Sequence, residues 1–311
     1  MKKIVLSLLG ATLLMSCSLF AQQTSYRLLH DGAPSPKLNL NLEFFTIDLG
    51  TSNIDGGSFN LGATGFFQPV SNLGVQWNVK RSLWTFGALS HEDAAANLDI
   101  SAGGYFFLNS KEVKKPTKVT LKTEYKGSEY SRNVSGDLVE KRTEEVTFMM
   151  VPANRTISNG VRAGYYMKRG PFANDNLESE GFDQPLNYFS LTSMGAYVGL
   201  TRRSLKNVFV DVDGYGVQYN SIGDDFALDL LIVPVNIFRD LDADKENVSP
   251  IVRDQLGGIP LGFRIGWYRY QIEKRTRTGK RFGMSTSIEA GIKPYQGIFF
   301  NGGIGLTIIK R

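Results

Sequence analysis

Apolar and polar residues alternate along much of this chain, in segments of roughly 9 to 14 residues. In the clearest segment, 97–108, Leu98 and Phe106 fall on one face and Asp99 and Ser101 on the other. A period of two is that of a β-strand with one apolar face. The pattern therefore predicts an all-β chain.

The length of these segments favours a membrane barrel over a soluble sheet. The alternation returns in segments 75–80, 208–213, 225–232, 281–292 and 298–308. Strands of soluble proteins usually have about 5 to 6 residues, whereas a tilted membrane-spanning strand needs about 9 to 11.

Turn-forming residues separate these segments, at 221–224, 275–279 and 293–296. Counting the candidates yields about 13 strands, but bacterial barrels have even numbers. We predict an antiparallel meander transmembrane β-barrel of about 12 strands, with 14 as the alternative. Segment 118–150 is too charged for a lipid-facing strand and is expected to form a hairpin beyond the membrane.

The N-terminus has the features of an export signal. Lys2 and Lys3 precede an apolar run, and the stretch ends at Ala21, which predicts a signal peptide over 1–21 and a barrel domain over 22–311. The string from Leu14 to Cys17 also resembles a lipoprotein box, so lipidation of Cys17 is an alternative.

Cysteine usage and charge exclude several kinds of chemistry. Cys17 is the only cysteine, so a chain cleaved after Ala21 has neither disulfides nor thiolate metal sites. Removing Lys2 and Lys3 leaves 33 bases against 30 acids, which lowers the net charge from +5 to +3. That charge does not indicate a nucleic-acid partner, and no motif indicates a cofactor.

Four features together resemble the outer-membrane β-barrel proteins of Bacteroidota. They are the 21–23 Ala-Gln-Gln export end, the long alternating strands, the 211–216 Asp-Val-Asp-Gly-Tyr-Gly strand end and the glycine-rich 302–308 strand. The resemblance implies a porin-like barrel in the cell outer membrane, among lipid and lipopolysaccharide. The chain departs from the usual aromatic C-terminal residue, since it ends in Lys310 and Arg311.

Charged residues on the polar faces of the strands are the candidates for a lumen lining. They are Asp99, Asp211, Asp213, Asp225, Asp229, Arg264 and Glu289. Inside a barrel they would either bias the passage of ions or pair across the lumen, and pairing is favoured because a buried, unpaired carboxylate is costly.

A weak metal site is the next candidate. Asp240, Asp242 and Asp244 place carboxylates at alternate positions, as calcium loops do. Lys245 stands where such a loop needs glycine and Ile251 where it needs glutamate, which favours a solvated acidic loop.

For two further kinds of motif we favour an interpretation without a specific function. The 90–93 Ser-His-Glu-Asp string contains the residue types of a hydrolase triad, but adjacent side chains diverge, and a polar turn is the better interpretation. The basic runs 202–206 and 274–281 could hold lipopolysaccharide phosphates, although such runs are more often solvated.

Three function classes follow from these observations. The first is a non-enzymatic barrel that acts as a passive or weakly selective diffusion channel. The second is a barrel that serves as a subunit or scaffold of a larger envelope complex, with 118–145, 170–185 and 239–258 as docking surface. A barrel enzyme ranks third, so we expect no catalysis.

Overall fold

The computed structural model describes residues 25–31, 36–50, 56–87, 98–132, 138–172, 189–240, 260–271, 282–294 and 297–310. These residues form strands only. The strands are β1 (Tyr26–Asp31), β2 (Leu38–Gly50), β3 (Gly56–Val70), β4 (Leu73–Gly87), β5 (Leu98–Arg132), β6 (Leu138–Phe172), β7 (Phe189–Val212), β8 (Gly216–Asp240), β9 (Leu261–Gln271), β10 (Phe282–Lys293) and β11 (Gly297–Lys310). No helix long and apolar enough to cross a membrane occurs among the described residues.

The strands make a closed antiparallel meander. Each strand from β2 to β11 pairs with its neighbours in the chain, and β11 returns to pair with β2, from Phe299↔Gly50 to Lys310↔Leu38. β7 also pairs with β8, so ten strands form a ring, and β1 lies outside it, paired with β7. The predicted all-β meander is therefore correct, but the predicted number of 12 or 14 strands is wrong.

The overcount has a local cause at 221–224, a segment predicted to be a turn. The structure places it inside β8. Gly223 lies directly opposite Tyr270 of β9, and a Cβ at Gly223 would be less than 3.0 Å from the tyrosine ring. The glycine therefore makes room for an aromatic ring and does not end the strand.

The charged segment 118–150 likewise adds no separate strands. β5 and β6 are 35 residues each, and the segment forms the end of one and the start of the other. Such strands are about three times as long as a membrane span requires.

The chain divides into two compact units. The larger unit comprises 32–116, 152–207 and 221–311, and the smaller unit comprises 1–31, 117–151 and 208–220. The predicted signal peptide, 1–21, lies outside the described residues, and it stays a prediction.

The larger unit has the inverse of the polarity of a soluble protein. On β8, the side chains of Leu228 and Leu230 are 41% and 46% exposed, whereas Asp229 between them is 1% exposed. On β2, Asn41 and Glu43 are buried. Since soluble proteins bury apolar and expose charged side chains, this barrel is polar inside and apolar outside.

In the larger unit, two tyrosine rings pack closely against glycines of the neighbouring strand. Tyr105 is opposite Gly74 and Tyr270 is opposite Gly223, in each case on the neighbouring strand. A Cβ at either glycine would be less than 3.0 Å from the ring. These tyrosines and Phe66 belong to one buried cluster inside the unit.

The smaller unit is built around β1 and the end of β7. Tyr26 pairs with Val212, and Val208, Val210 and Val212 are buried. The ring of His30 lies 6.2 Å from that of Phe209, in a tilted arrangement. This valine-rich strand end therefore has a buried apolar face.

We predict that Gly74→Ala destabilises the barrel, because the new methyl group would displace the Tyr105 ring. The free energy of unfolding should fall by about 1–3 kcal/mol, measured by urea unfolding in lipid. Gly104→Ala is the matched control: its Cβ would meet its nearest neighbour, the Gly74 carbonyl oxygen, at 3.7 Å. Equal losses in the two variants would contradict this account of the tyrosine.

Candidate functional site

Among the described residues, the interior of the larger unit holds six carboxylates and six cations. Eleven of these residues are buried, and Asp225 has a side chain that is 18% exposed. The carboxylates are Glu43, Asp48, Asp99, Asp225, Asp229 and Glu289, and the cations are Lys80, Arg162, Lys168, Arg203, Arg264 and Lys293. Their formal charges cancel.

Asp229 is the most enclosed carboxylate of this interior. The Arg162 guanidinium binds it in a bidentate manner, with Nε donating to Oδ1 at 2.6 Å and Nη2 donating to Oδ2. Nε of Arg264 donates to Oδ2 at 2.9 Å. Arg162 lies on β6, Asp229 on β8 and Arg264 on β9, so one carboxylate joins three strands. β6 is adjacent to neither of the other two.

Glu289 on β10 joins this group to the far side of the barrel. Lys80 Nζ on β4 donates to Glu289 Oε2 at 3.0 Å, and Asn301 Nδ2 donates to the same oxygen at 3.3 Å. The Tyr268 hydroxyl donates to Oε1, and Arg264 Nη1 lies 3.9 Å from that oxygen. Charge-assisted hydrogen bonds thus run from β4 to β10 across the interior.

Arg203 forms a second cluster, in which a charge is surrounded by rings. Its Nε and Nη2 each donate to Asp225 at 2.8 Å, and Nη1 donates to Gln68 Oε1 at 2.6 Å. The guanidinium lies 3.7 Å from the ring centroid of Phe66 and also donates to the Tyr105 hydroxyl at 3.2 Å. Bidentate pairing and stacking are both properties of arginine that lysine lacks.

A third cluster contains the lysines. Lys168 Nζ donates to Asp48, and Lys293 Nζ lies 3.6 Å from Asp48 and 4.0 Å from Asp99. Nζ of Lys293 makes no hydrogen bond among the described residues, but it lies 4.0 Å from the ring centroid of Phe299. The Lys293 ammonium group is therefore stabilised by the charges of two carboxylates and by the face of the Phe299 ring.

A small cavity lies beside these clusters. It is lined by Arg162, Arg203, Arg264, Tyr268 and Tyr270 and has a volume of about 50 Å³. One water needs about 10–15 Å³ on this measure, so the cavity has room for only a few. Side chains that line a wide aqueous channel would be accessible to water, whereas these cations are 2–7% exposed.

The residues predicted to face the lumen fall into two groups. Inside the larger unit are Asp99, Asp225, Asp229, Arg264 and Glu289, each within 4.0 Å of a cation or carboxylate of opposite charge. Asp211 and Asp213 belong to the smaller unit and are exposed, and Asp213 accepts a hydrogen bond from the Ser25 hydroxyl.

Sequence reasoning missed most of the cations and two of the acids. Lys80, Arg162 and Lys168 are buried at inward-facing positions of alternating strands, and Lys80 and Arg162 lie next to the exposed Val79 and Val161. This local pattern can be seen in the sequence. The carboxylate that pairs with each cation cannot, because Lys80 and Glu289 are 209 residues apart in sequence.

The other candidate sites lie at or beyond the limits of the described residues. Asp240 ends β8, and Asp242, Asp244 and the string 90–93 lie outside the described residues. Within the described residues, no group of three or more His, Cys, Asp or Glu side chains could hold a metal ion.

The charged part of β5 carries exposed ion pairs in the smaller unit. Lys126 Nζ lies 3.2 Å from Glu124 and 2.9 Å from Glu145 of β6. Hydrogen bonds from Lys122 and Lys126 hold the pKa of the Glu124 carboxyl below its usual value. Exposed pairs of this kind contribute little to stability.

Removal of Glu289 should test whether the interior pairs are energetically important. Glu289→Ala leaves Lys80 without its closest carboxylate, and the free energy of unfolding should fall by about 3–5 kcal/mol, measured by urea unfolding. The control is Glu145→Ala, which breaks an exposed pair and should leave the unfolding midpoint unchanged. A similarly small effect of both substitutions would show that the interior is open to water.

Comparison with known proteins yields only distant similarities. No protein-family model and no curated protein matches the sequence. Among solved structures, the chain is similar to a bacterial polysaccharide outer membrane secretin, with 9% identity over 89% of this chain and 100% of that chain and a TM-score of 0.20. It is also similar to OmpT, an outer membrane protein of Vibrio cholerae, with 11% identity over 91% of this chain and 99% of that chain and a TM-score of 0.14. At these TM-scores the similarities carry no argument about function.

Proposed function

We propose that this chain is a non-enzymatic outer-membrane β-barrel that acts as a membrane-anchored scaffold or subunit of an envelope complex, with a lumen closed by ion pairs. The observation that carries the proposal is the inverted polarity of the larger unit. Charged side chains are enclosed within it, and apolar side chains cover its outside.

The apolar outer surface supports the membrane location. Outward side chains such as Val75, Phe106, Leu200, Ile265 and Phe300 are 41–60% exposed and lie on five different strands. Soluble monomers rarely expose contiguous apolar patches larger than a few hundred Å². A closed barrel in a bilayer needs such a surface, and it leaves no strand edge unpaired.

The enclosed charges favour the scaffold over the diffusion channel, which was the first function predicted from the sequence. A channel needs a continuous aqueous path, whereas Arg162, Arg264 and Lys80 bind carboxylates on other strands from within the barrel. The six cations and six carboxylates of the described interior cancel, so these residues carry no net charge that would select an ion.

The exposed residues of the smaller unit supply surface for an envelope partner. Most of the predicted docking segments 170–185 and 239–258 lies outside the described residues. Long connections are where binding residues concentrate. Partner proteins and the Bacteroidota origin stay predictions.

Leu228→Arg tests the membrane location. At the middle of a lipid-facing strand, an arginine costs about 2–4 kcal/mol of folding free energy in a bilayer, whereas on a water-exposed surface it costs almost nothing. In refolding titrations with lipid vesicles, we expect Leu228→Arg to lose the folding free energy that is typical of a bilayer. Leu228→Ala, which removes side-chain contacts without adding charge, should lose less. A chain that tolerates Leu228→Arg fully would not be a membrane barrel.

Conductance in a planar bilayer tests the closed lumen. The wild-type barrel should give no stepwise conductance. The triple variant Arg162→Ala, Asp229→Ala, Arg264→Ala removes two cations and one carboxylate from the interior, leaves Glu289 with Lys80, and should conduct. As control, Arg269→Ala with Asp224→Ala removes an ion pair whose side chains are 46% and 20% exposed, and should remain silent. Stepwise conductance of the wild type would favour the diffusion channel instead.

A further inference from the structure

Four cations lie on the outer face of the larger unit, where its parts of β6, β7 and β9 begin or end. We call this the basic patch; it consists of Arg155, Arg202, Lys206 and Arg269. On β7 the alternation sends Arg203 and Leu205 inward, so that Arg202, Ser204 and Lys206 face outward. The run 202–206 is therefore split between the two faces.

The strand register brings like charges together in the basic patch. Arg155 is directly opposite Lys206, so their Cβ atoms are roughly 4.5–5.5 Å apart. Like charges in such a position destabilise a sheet. Asp224 on β8 binds Nε of Arg269 at 2.7 Å and also attracts Lys206, so this one carboxylate is shared among several cations of the basic patch.

Two donors of the same region have no partner. Nε of Arg155 and the hydroxyl of Ser204 are shielded from solvent, and neither makes a hydrogen bond among the described residues. Ser204 is opposite Ile157, which lies two positions from Arg155 on the same face. Shielded donors beside paired cations are what an oxygen-rich anion would satisfy.

The basic patch borders the apolar outer surface, and this position favours an anion that is attached to a lipid. At the next outward-facing position after Arg202 on β7, Leu200 is opposite Val161 of β6, and both side chains are exposed. The guanidinium of Arg269 lies 4.8 Å from the ring centroid of Trp267. Tryptophan and basic residues at the limit of an apolar belt mark the level of lipid headgroups.

On this basis, and resting on the proposed membrane location, we propose that the basic patch is a binding site for the phosphate headgroup of an anionic phospholipid. The phosphate would lie between Arg155 and Lys206 and accept hydrogen bonds from both side chains and from Ser204. It would thereby neutralise the repulsion between the two cations.

The test measures lipid retention by the full mature chain. The purified barrel, in detergent, is titrated with phosphatidylglycerol or with phosphatidylcholine, and bound lipid is counted by native mass spectrometry. We expect preferential retention of phosphatidylglycerol. Lys206→Gln should weaken it about fivefold and Arg155→Gln with Lys206→Gln about 25-fold, since each basic residue near an anionic surface contributes about a factor of five.

Two control variants separate a built site from general attraction. Arg81→Gln removes an outward-facing, exposed cation of β4 away from the patch and should retain the lipid fully. Lys206→Arg keeps the charge and should retain it as well. An equal loss in Arg81→Gln, or equal retention of the two lipids by the wild type, would overturn the proposal. Displacement by inorganic phosphate at the same concentration as the lipid would show a free-phosphate site and overturn the lipid assignment.

Folding into phosphatidylcholine vesicles, read from the heat-modifiable gel band, is scored separately. Failure there contradicts the membrane location itself. Folding there without preference for phosphatidylglycerol contradicts only the lipid site.

Discussion

Enclosing ionised side chains is the constraint on which the rest of the larger unit depends. A charged group removed from water is tolerated only with a partner of opposite charge and with its hydrogen bonds satisfied. Here the partners come from distant parts of the chain: Lys80 and Glu289 are 209 residues apart, and Arg162 and Asp229 are 67 apart. The ion pairs can therefore form only when the ring of strands is closed in the correct register.

Closure in turn determines what the outside of the barrel can do. When polar side chains occupy one face of each strand, the period of two sends the apolar side chains to the other face. In a closed ring that second face is the whole outer surface. The same geometry that satisfies Asp229 inside thus exposes Leu228 and Leu230 outside, and the basic patch is noticeable because it interrupts this apolar surface.

Particular residues show how far the sequence could be interpreted. The alternation around Asp99 and Ser101 predicted an inward polar face, and both side chains are buried. The same logic placed Asp211 and Asp213 beside Asp229 in one predicted lining, yet they belong to the smaller unit and are exposed. Local alternation states which residues share a face, but it does not state what covers that face.

The sequence by itself determined that the chain is all-β, that its strands are long and two-faced, and that a single cysteine excludes disulfide chemistry, because these properties depend only on composition and on period. The tertiary structure alone decided that ten strands close the ring, that 221–224 continues a strand under Tyr270, and which cation meets which carboxylate. These outcomes depend on contacts between residues far apart in the chain. A one-residue change of register would reverse the two faces, and no local pattern encodes the partner that prevents it.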